Sequence, residues 1–201
     1  MTTPRTTAPR TTAPRSTAPR TAAPRTAPYA GGGAGTAAPA DRSRTHTWHS
    51  RPEPTPEILG MSGLEILRAC LAGDLPEASI MSTLGFRLAE AEEGSVVFEG
   101  DPGDHLLNPM GTVHGGFLAT LLDSALGSAV MTRLPAGTTY TTVQLGVHMI
   151  RPVLAGTPTL RCEGTALHVG RTTATAEARV VGAEDGKLYA HGTTTCVVLR
   201  P

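Results

Sequence analysis

Aromatic side chains are scarce in this 201-residue chain, at 3% of the sequence, so its core has to be assembled from Leu, Val, Ala and Met. Cysteine is nearly as rare. Cys70, Cys162 and Cys196 lie far apart and form no CxxC pair, which excludes a disulfide scaffold and points to a reducing compartment with small buried thiols. No run approaches the roughly 18 apolar residues that a membrane span needs, and the N-terminus has no apolar signal core. A cytoplasmic protein without membrane attachment is the expectation.

Acids are missing from the front of the chain. Residues 1–52 hold eight Arg against one acid, Asp41, for a net charge of +7, and the remainder carries −7, so the overall charge is 0. A nucleic-acid reader would carry its positive charge on the folded part, which here is acidic; specific nucleic-acid binding is therefore not expected. The basic front is a five-residue repeat, TTAPR-TTAPR-STAPR-TAAPR, followed by a Gly/Ala/Pro stretch. Proline at every fifth position prevents a helix and leaves no apolar face to bury. Residues 1–55 read as a disordered tail and linker, and residues 56–201 as the folded domain. Two His in the tail, His46 and His49, lack carboxylate or Cys partners nearby, so no metal site is expected there.

Beyond the tail, Ser62-Gly63-Leu64-Glu65 has the spacing of a capping box. Leu64, Leu67 and Leu71 then share one helical face, and Gly73 with Pro76 ends the helix. Phe86 and Leu88 alternate with polar neighbours, and Glu92-Glu93-Gly94-Ser95 reads as the turn of a hairpin into Val96–Glu99. From Gly115 to Met131 almost every position is apolar, so this helix should be buried on most sides. Alternation returns at Val143, Leu145, Val147 and Met149, then within Leu160–Val169 and Thr172–Val181, and a last strand runs from about Leu188 to Leu199. Asp185-Gly186 is a hairpin turn between the last two strands. An antiparallel sheet wrapped around one apolar helix, an α+β fold, satisfies this order; a βαβ fold does not.

One residue in the apolar helix is out of place. Asp123 is the single formally charged side chain between Met110 and Met131. An unpaired buried carboxylate costs several kcal/mol, so a chemical role competes well against the alternative that Asp123-Ser124 caps a second, shorter helix. Ahead of it, Gly115-Gly116 opens the helix with free backbone N–H groups at the positive end of the helix dipole, suited to an oxyanion. Gly115 and Asp123 are eight residues apart, about 12 Å along a helix. One carbonyl cannot sit beside both within one chain. If both act on one bond, a second chain must lay its helix antiparallel alongside, and the site lies at a symmetric dimer interface.

The runs NPMGTVHGGFLATLLDSALGSAV, TTVQLGVHMIRPV and GRTTATAEARVVGAEDGKLYAHGTTTC resemble the hotdog-fold thioesterases of the phenylacetate-pathway (PaaI-like) group over roughly residues 60–199. The resemblance implies a hotdog fold, hydrolysis of acyl-CoA thioesters, and assembly as a homodimer that extends to a homotetramer. It makes Asp123 the general base or the nucleophile, and Gly115 the N–H donor to the carbonyl from the partner's helix. Asn108 would orient the reacting groups and His114 would shape the turn. Thr141 would position water, with the adjacent Thr142 as the alternative. Gly116, Gly170, Arg171 and Arg151 fall to the substrate and CoA side. Phe117, Leu118 and Leu121 are candidates for the acyl pocket, though core packing suits them as well. No metal is implied, and no cofactor beyond the CoA of the substrate. Two other readings compete: a hotdog hydratase, from the faint Asp104, Asn108, Pro109, His114 pattern, and a non-catalytic acyl-CoA-binding protein. The acyl group itself is not legible.

Overall fold

The computed structural model describes residues 41–50 and 53–200. Most of the expected disordered tail lies outside these residues, and its described part, 41–50 and 53–55, carries no helix or strand. The account below concerns the unit that begins at Arg44.

The first regular element, α1 (Pro56–Leu59), is one short turn, and α2 (Gly63–Ala72) follows it behind the expected capping box. Glu65 N–H donates to Ser62 Oγ at 3.4 Å while the Glu65 carboxylate takes the Ser62 N–H at 2.7 Å, satisfying two orphan donors reciprocally. Gly73 stops the helix with a φ of 82°, a left-handed conformation that suits glycine. Leu67 is buried and Leu64 partly so, but Leu71 is 40% exposed. The expected three-leucine face therefore ends one turn early. A further short helix, α3 (Ser79–Leu84), was not legible as a helix; it has no side-chain cap, and its burial of Met81 holds it in place.

Strands β1 (Phe86–Glu92) and β2 (Ser95–Gly100) form the expected hairpin, with Glu92 opposite Ser95 across a two-residue turn. After a 3-10 turn at Asp104–Leu106 comes α4 (Gly115–Met131), and then β3 (Thr139–Met149), β4 (Leu160–Val169), β5 (Thr173–Gly182) and β6 (Leu188–Leu199). The six strands make one sheet in the order β1-β2-β4-β5-β6-β3, with every neighbour antiparallel. Thus β3 crosses over to pair with β6 at an edge. Buried positions alternate with more exposed ones along β2, β5, β4 as far as Ala166 and β6 from Ala190 onward, as a sheet with one dry face requires.

The dry face wraps α4. Leu121, Leu122, Ala125, Leu126, Ala129 and Val130 are all fully buried, and each Leu contributes about 1.5–3 kcal/mol relative to exposure. Close approach of helix and sheet rests on Gly164 of β4, where an added Cβ would lie 2.5 Å from the Ala125 carbonyl oxygen. At the far end the Gly94 N–H donates to Thr132 Oγ1 at 2.7 Å, tying the hairpin turn to the end of the helix. Cys162 and Cys196 are buried and Cys70 is half-buried, all as free thiols. Among the described residues no helix is long and apolar enough to cross a membrane.

Candidate active site

The start of α4 is set by a tight loop that Asn108 organises. Its side-chain oxygen accepts from the N–H groups of Met110 (2.9 Å) and Thr112 (3.2 Å), and its amide donates to Thr112 Oγ1 at 2.8 Å. Gly111 completes the turn with a φ of 80°. The loop is then pinned on both sides: Val113 N–H donates to the Val153 carbonyl and His114 N–H to the Leu106 carbonyl. Asn108 thus acts on the shape of the loop.

His114 is the N-cap of α4. Its Nδ1 accepts the Gly116 N–H at 2.8 Å, so that nitrogen carries the lone pair and Nε2 the proton. Gly116, expected on the substrate side, spends its N–H on this cap. Gly115 is different. As the first helical residue its N–H has no intrahelical acceptor, and it opens into a cleft of about 320 Å³ shared with Asn108, Thr112, Leu118, Met149 and Arg151. Of the three candidate acyl-pocket residues, Leu118 lines this cleft, while Phe117 and Leu121 are packed into the core.

Asp123 lies two turns further along, on a different opening. It is half-buried rather than sealed into the core, because α4 leaves a strip of Asp123, Ser124 and Ser128 facing a cavity of about 360 Å³. That strip relieves the desolvation cost expected of a core carboxylate. The hydroxyl of Thr142 donates to Asp123 Oδ1 at 3.2 Å, and Thr142 Oγ1 also lies 4.0 Å from Cys196 Sγ. Strand alternation turns the adjacent Thr141 to the exposed face, so the hydroxyl that meets Asp123 within the protomer is that of Thr142, the alternative register.

Arg151 lies in the Gly115 cleft and donates to the Leu188 carbonyl at 2.5 Å. Arg171 lines neither opening. It is exposed in the β4–β5 turn, where the Gly170 N–H donates to the Thr173 carbonyl and the Arg171 carbonyl accepts from Arg200 Nε at 3.2 Å. The structure therefore gathers Asn108, His114, Gly115 and Arg151 at the start of α4 and Asp123 with Thr142 at its middle.

Sequence reasoning missed most of the wall around Asp123. It is built from Ile66, Leu67 and Cys70 of α2, Met81 of α3, Leu88 and Phe98 of the hairpin, and Tyr140 of β3. Nothing in the local pattern of α2 or α3 marks them as pocket walls, but Tyr140 was a readable signal, being one of three tyrosines and two residues from Thr142.

Comparison with known proteins decides the family. The Thioesterase superfamily matches residues 110–189, the stretch from the Asn108 loop to β6. A Halobacterium salinarum protein named as an esterase is 30% identical over 122 residues, 58% of this chain and 79% of that protein. A phenylacetic acid degradation-related protein of Ralstonia eutropha superposes with a TM-score of 0.59 at 30% identity, over 65% of this chain and 98% of the other. The phenylacetic acid degradation protein PaaI of Thermus thermophilus, in a mutant form, gives 0.55 at 31% identity over 62% of this chain and all of its own.

The chain belongs to the PaaI-like hotdog-fold thioesterases. It is a thioester hydrolase, and the helix enclosed by the sheet is the hotdog's central helix. Within the described residues of this thioesterase, no cluster of three or more His, Cys, Asp or Glu is placed to hold a metal ion.

Proposed function

We propose that the protein hydrolyses acyl-CoA thioesters to a free acid and CoA, as a cytoplasmic homodimer able to pair into a tetramer, with residues 56–201 as the catalytic unit. The observation that carries this is the separation of two complementary half-sites on one helix. Asp123 with Thr142 faces one cavity, and the open Gly115 N–H faces another, about 12 Å away along α4. Each half supplies what the other lacks. An antiparallel second copy brings the partner's Gly115 to Asp123, and does so twice by symmetry.

The edge strand β3 supports that pairing. Among the described residues its outer side is unpaired, and Val143, Leu145 and Met149 are 57%, 36% and 44% exposed, an apolar edge that a monomer would leave open to aggregation.

In the assembled site the partner's Gly115 N–H hydrogen-bonds the thioester carbonyl oxygen. Asp123 takes a proton from water as the water oxygen attacks the carbonyl carbon, and the tetrahedral oxyanion rests on the N–H. Collapse breaks the C–S bond, and the CoA thiolate leaves and takes up a proton. In the variant with Asp123 as nucleophile, its oxygen forms a mixed anhydride with expulsion of the thiolate, and water then cleaves the anhydride. Asn108 and His114 hold the Gly115 loop in place for both, and Arg151 and Arg171 serve the phosphates of CoA. The chemistry needs no metal and no further cofactor.

The test is free-thiol release from a panel of acyl-CoAs by the wild type, Asp123→Ala and Asp123→Asn. Hydrolysis of at least one substrate, with loss of about a thousandfold in both folded variants, is the expected result. Equal rates in wild type and variants would overturn the assignment of Asp123.

A further inference from the structure

Three hydroxyls, those of Tyr140, Ser124 and Ser128, line the Asp123 cavity without a hydrogen-bond partner among the described residues. Among the described residues every fully buried side-chain oxygen or nitrogen is satisfied, so these three hydroxyls are not sealed off from solvent. The rest of the cavity wall is mostly apolar, with Ile66, Leu67, Met81, Leu88 and Phe98 beside the carboxylates of Asp123 and Glu77.

Tyr140 is the most constrained of the three. Its ring and hydroxyl lie against Gly127, one helical turn beyond Asp123. A Cβ added at Gly127 would lie 2.4 Å from Tyr140 Oη and 2.9 Å from two ring carbons, so the tyrosine occupies space that glycine alone leaves open. Burial raises the phenol's pKa, with the nearby Cys196 and Asp123 adding to the shift, so the hydroxyl keeps its proton and remains a donor.

The cavity's charge identifies which part of a substrate enters. Its lining includes two acids, Asp123 and Glu77, and no Lys or Arg, so the phosphates of CoA have no place in it. With the thioester carbonyl held at Asp123, the group that extends past it is the acyl chain. An apolar pocket with a few convergent polar groups reads shape together with one polar feature of its ligand.

We propose that Tyr140, seated on Gly127, is a specificity-determining residue whose hydroxyl hydrogen-bonds an oxygen substituent of the acyl group. The enzyme then prefers hydroxy- or oxo-acyl thioesters over hydrocarbon acyl thioesters of the same length. Ser124 and Ser128 line the same path and supply secondary contacts. A purely hydrocarbon chain would strip water from these hydroxyls and give them nothing in return, which is the stronger form of discrimination. This inference rests on the reading of the Asp123 cavity as the acyl site.

The experiment measures kcat/KM for hexanoyl-CoA and for 3-, 5- and 6-hydroxyhexanoyl-CoA, with wild type, Tyr140→Phe and the double variant Ser124→Ala/Ser128→Ala. The readout is a ratio within one enzyme preparation, so a partly misfolded sample lowers both rates and leaves the ratio intact. The wild type is expected to favour at least one hydroxylated substrate by about tenfold, and Tyr140→Phe to bring that ratio close to one. A wild type that treats the four alike, or a ratio that survives Tyr140→Phe, overturns the proposal. A ratio that survives Tyr140→Phe but falls in the double serine variant moves the reading to the helix. Hydrolysis of other acyl-CoAs but none of these four also overturns it, whereas no hydrolysis of any acyl-CoA overturns the function proposed above as well.

Discussion

Thr142 Oγ1 donates to Asp123 Oδ1 at 3.2 Å, joining an edge strand to the middle of the central helix. The bond fixes one carboxyl oxygen, and among the described residues no hydrogen bond engages the other. Replacing Thr142 by Val keeps the shape and removes the donor. Its kcat is expected to fall about tenfold, the worth of one hydrogen bond of about 1 kcal/mol together with looser positioning. Thr142→Ser should restore most of the rate. Thr141→Val, altering the exposed face of β3, should change it less than twofold. Steady-state thiol release by the three variants checks the register, and a larger loss from Thr141→Val would return the role to Thr141.

Gly115 offers a backbone donor, which side-chain replacement does not remove. Proline does. It has no N–H, and it is tolerated at the first helical position. The residue before it must be extended, and His114 already sits at φ −63°, ψ 134°. Gly115→Pro is therefore expected to keep the helical circular dichroism of wild type while kcat falls by about a hundredfold or more, the usual cost of one oxyanion donor. Gly115→Ala is the control, since its Cβ meets only Met149 Cε at an ordinary 3.5 Å. An active Gly115→Pro enzyme would mean that the carbonyl is polarised elsewhere.

Much of this site was readable before the fold was known, for reasons that differ by residue. Asp123 stood out because a charge inside an apolar helix needs a cause, and Gly115 because two glycines at a helix start expose donors. Their separation already called for a second chain if both act on one bond. The β1–β2 hairpin and the four later strands were legible from alternation and from turn residues such as Glu93-Gly94. What was hidden is what packing decides. Helix α3 has no side-chain cap and no periodic pattern, and Leu71, in the last turn of α2, stays 40% exposed. The choice between Thr141 and Thr142 hung on strand phase, and a bulge between Thr142 and Gln144 resets the phase within the same strand. That Gly116 would be consumed by His114 required the cap geometry itself.

The outer edge of β3 gives the proposed dimer a direct test. Val143 and Leu145 are exposed on a strand that, among the described residues, has no neighbour beyond it, and a charge there blocks strand pairing. Leu145→Lys is expected to shift the protein to monomer in sedimentation experiments. Activity should fall in parallel and recover as protein concentration is raised, as the proposed site built from both copies requires. Full activity in a strictly monomeric variant would refute the two-chain site.

Gly164 tests how the sheet holds the central helix at working distance. A methyl group at this position would meet the Ala125 carbonyl oxygen at 2.5 Å, and a helix backbone cannot yield as a flexible side chain can. Gly164→Ala must therefore push α4 from β4 or bend the strand, at a cost of about 1–3 kcal/mol. Urea unfolding should show this as a lower midpoint with an unchanged slope. Asp123 sits two residues before Ala125, so the same displacement should lengthen the contact with Thr142 and lower kcat more than it raises KM. Gly156→Ala, at a glycine of positive φ whose Cβ meets nothing within 4 Å, is the comparison. It should lose a smaller amount of stability, from backbone strain alone, and keep its kcat. If both variants lost stability equally with kcat unchanged, the helix–sheet spacing would not be what Gly164 protects.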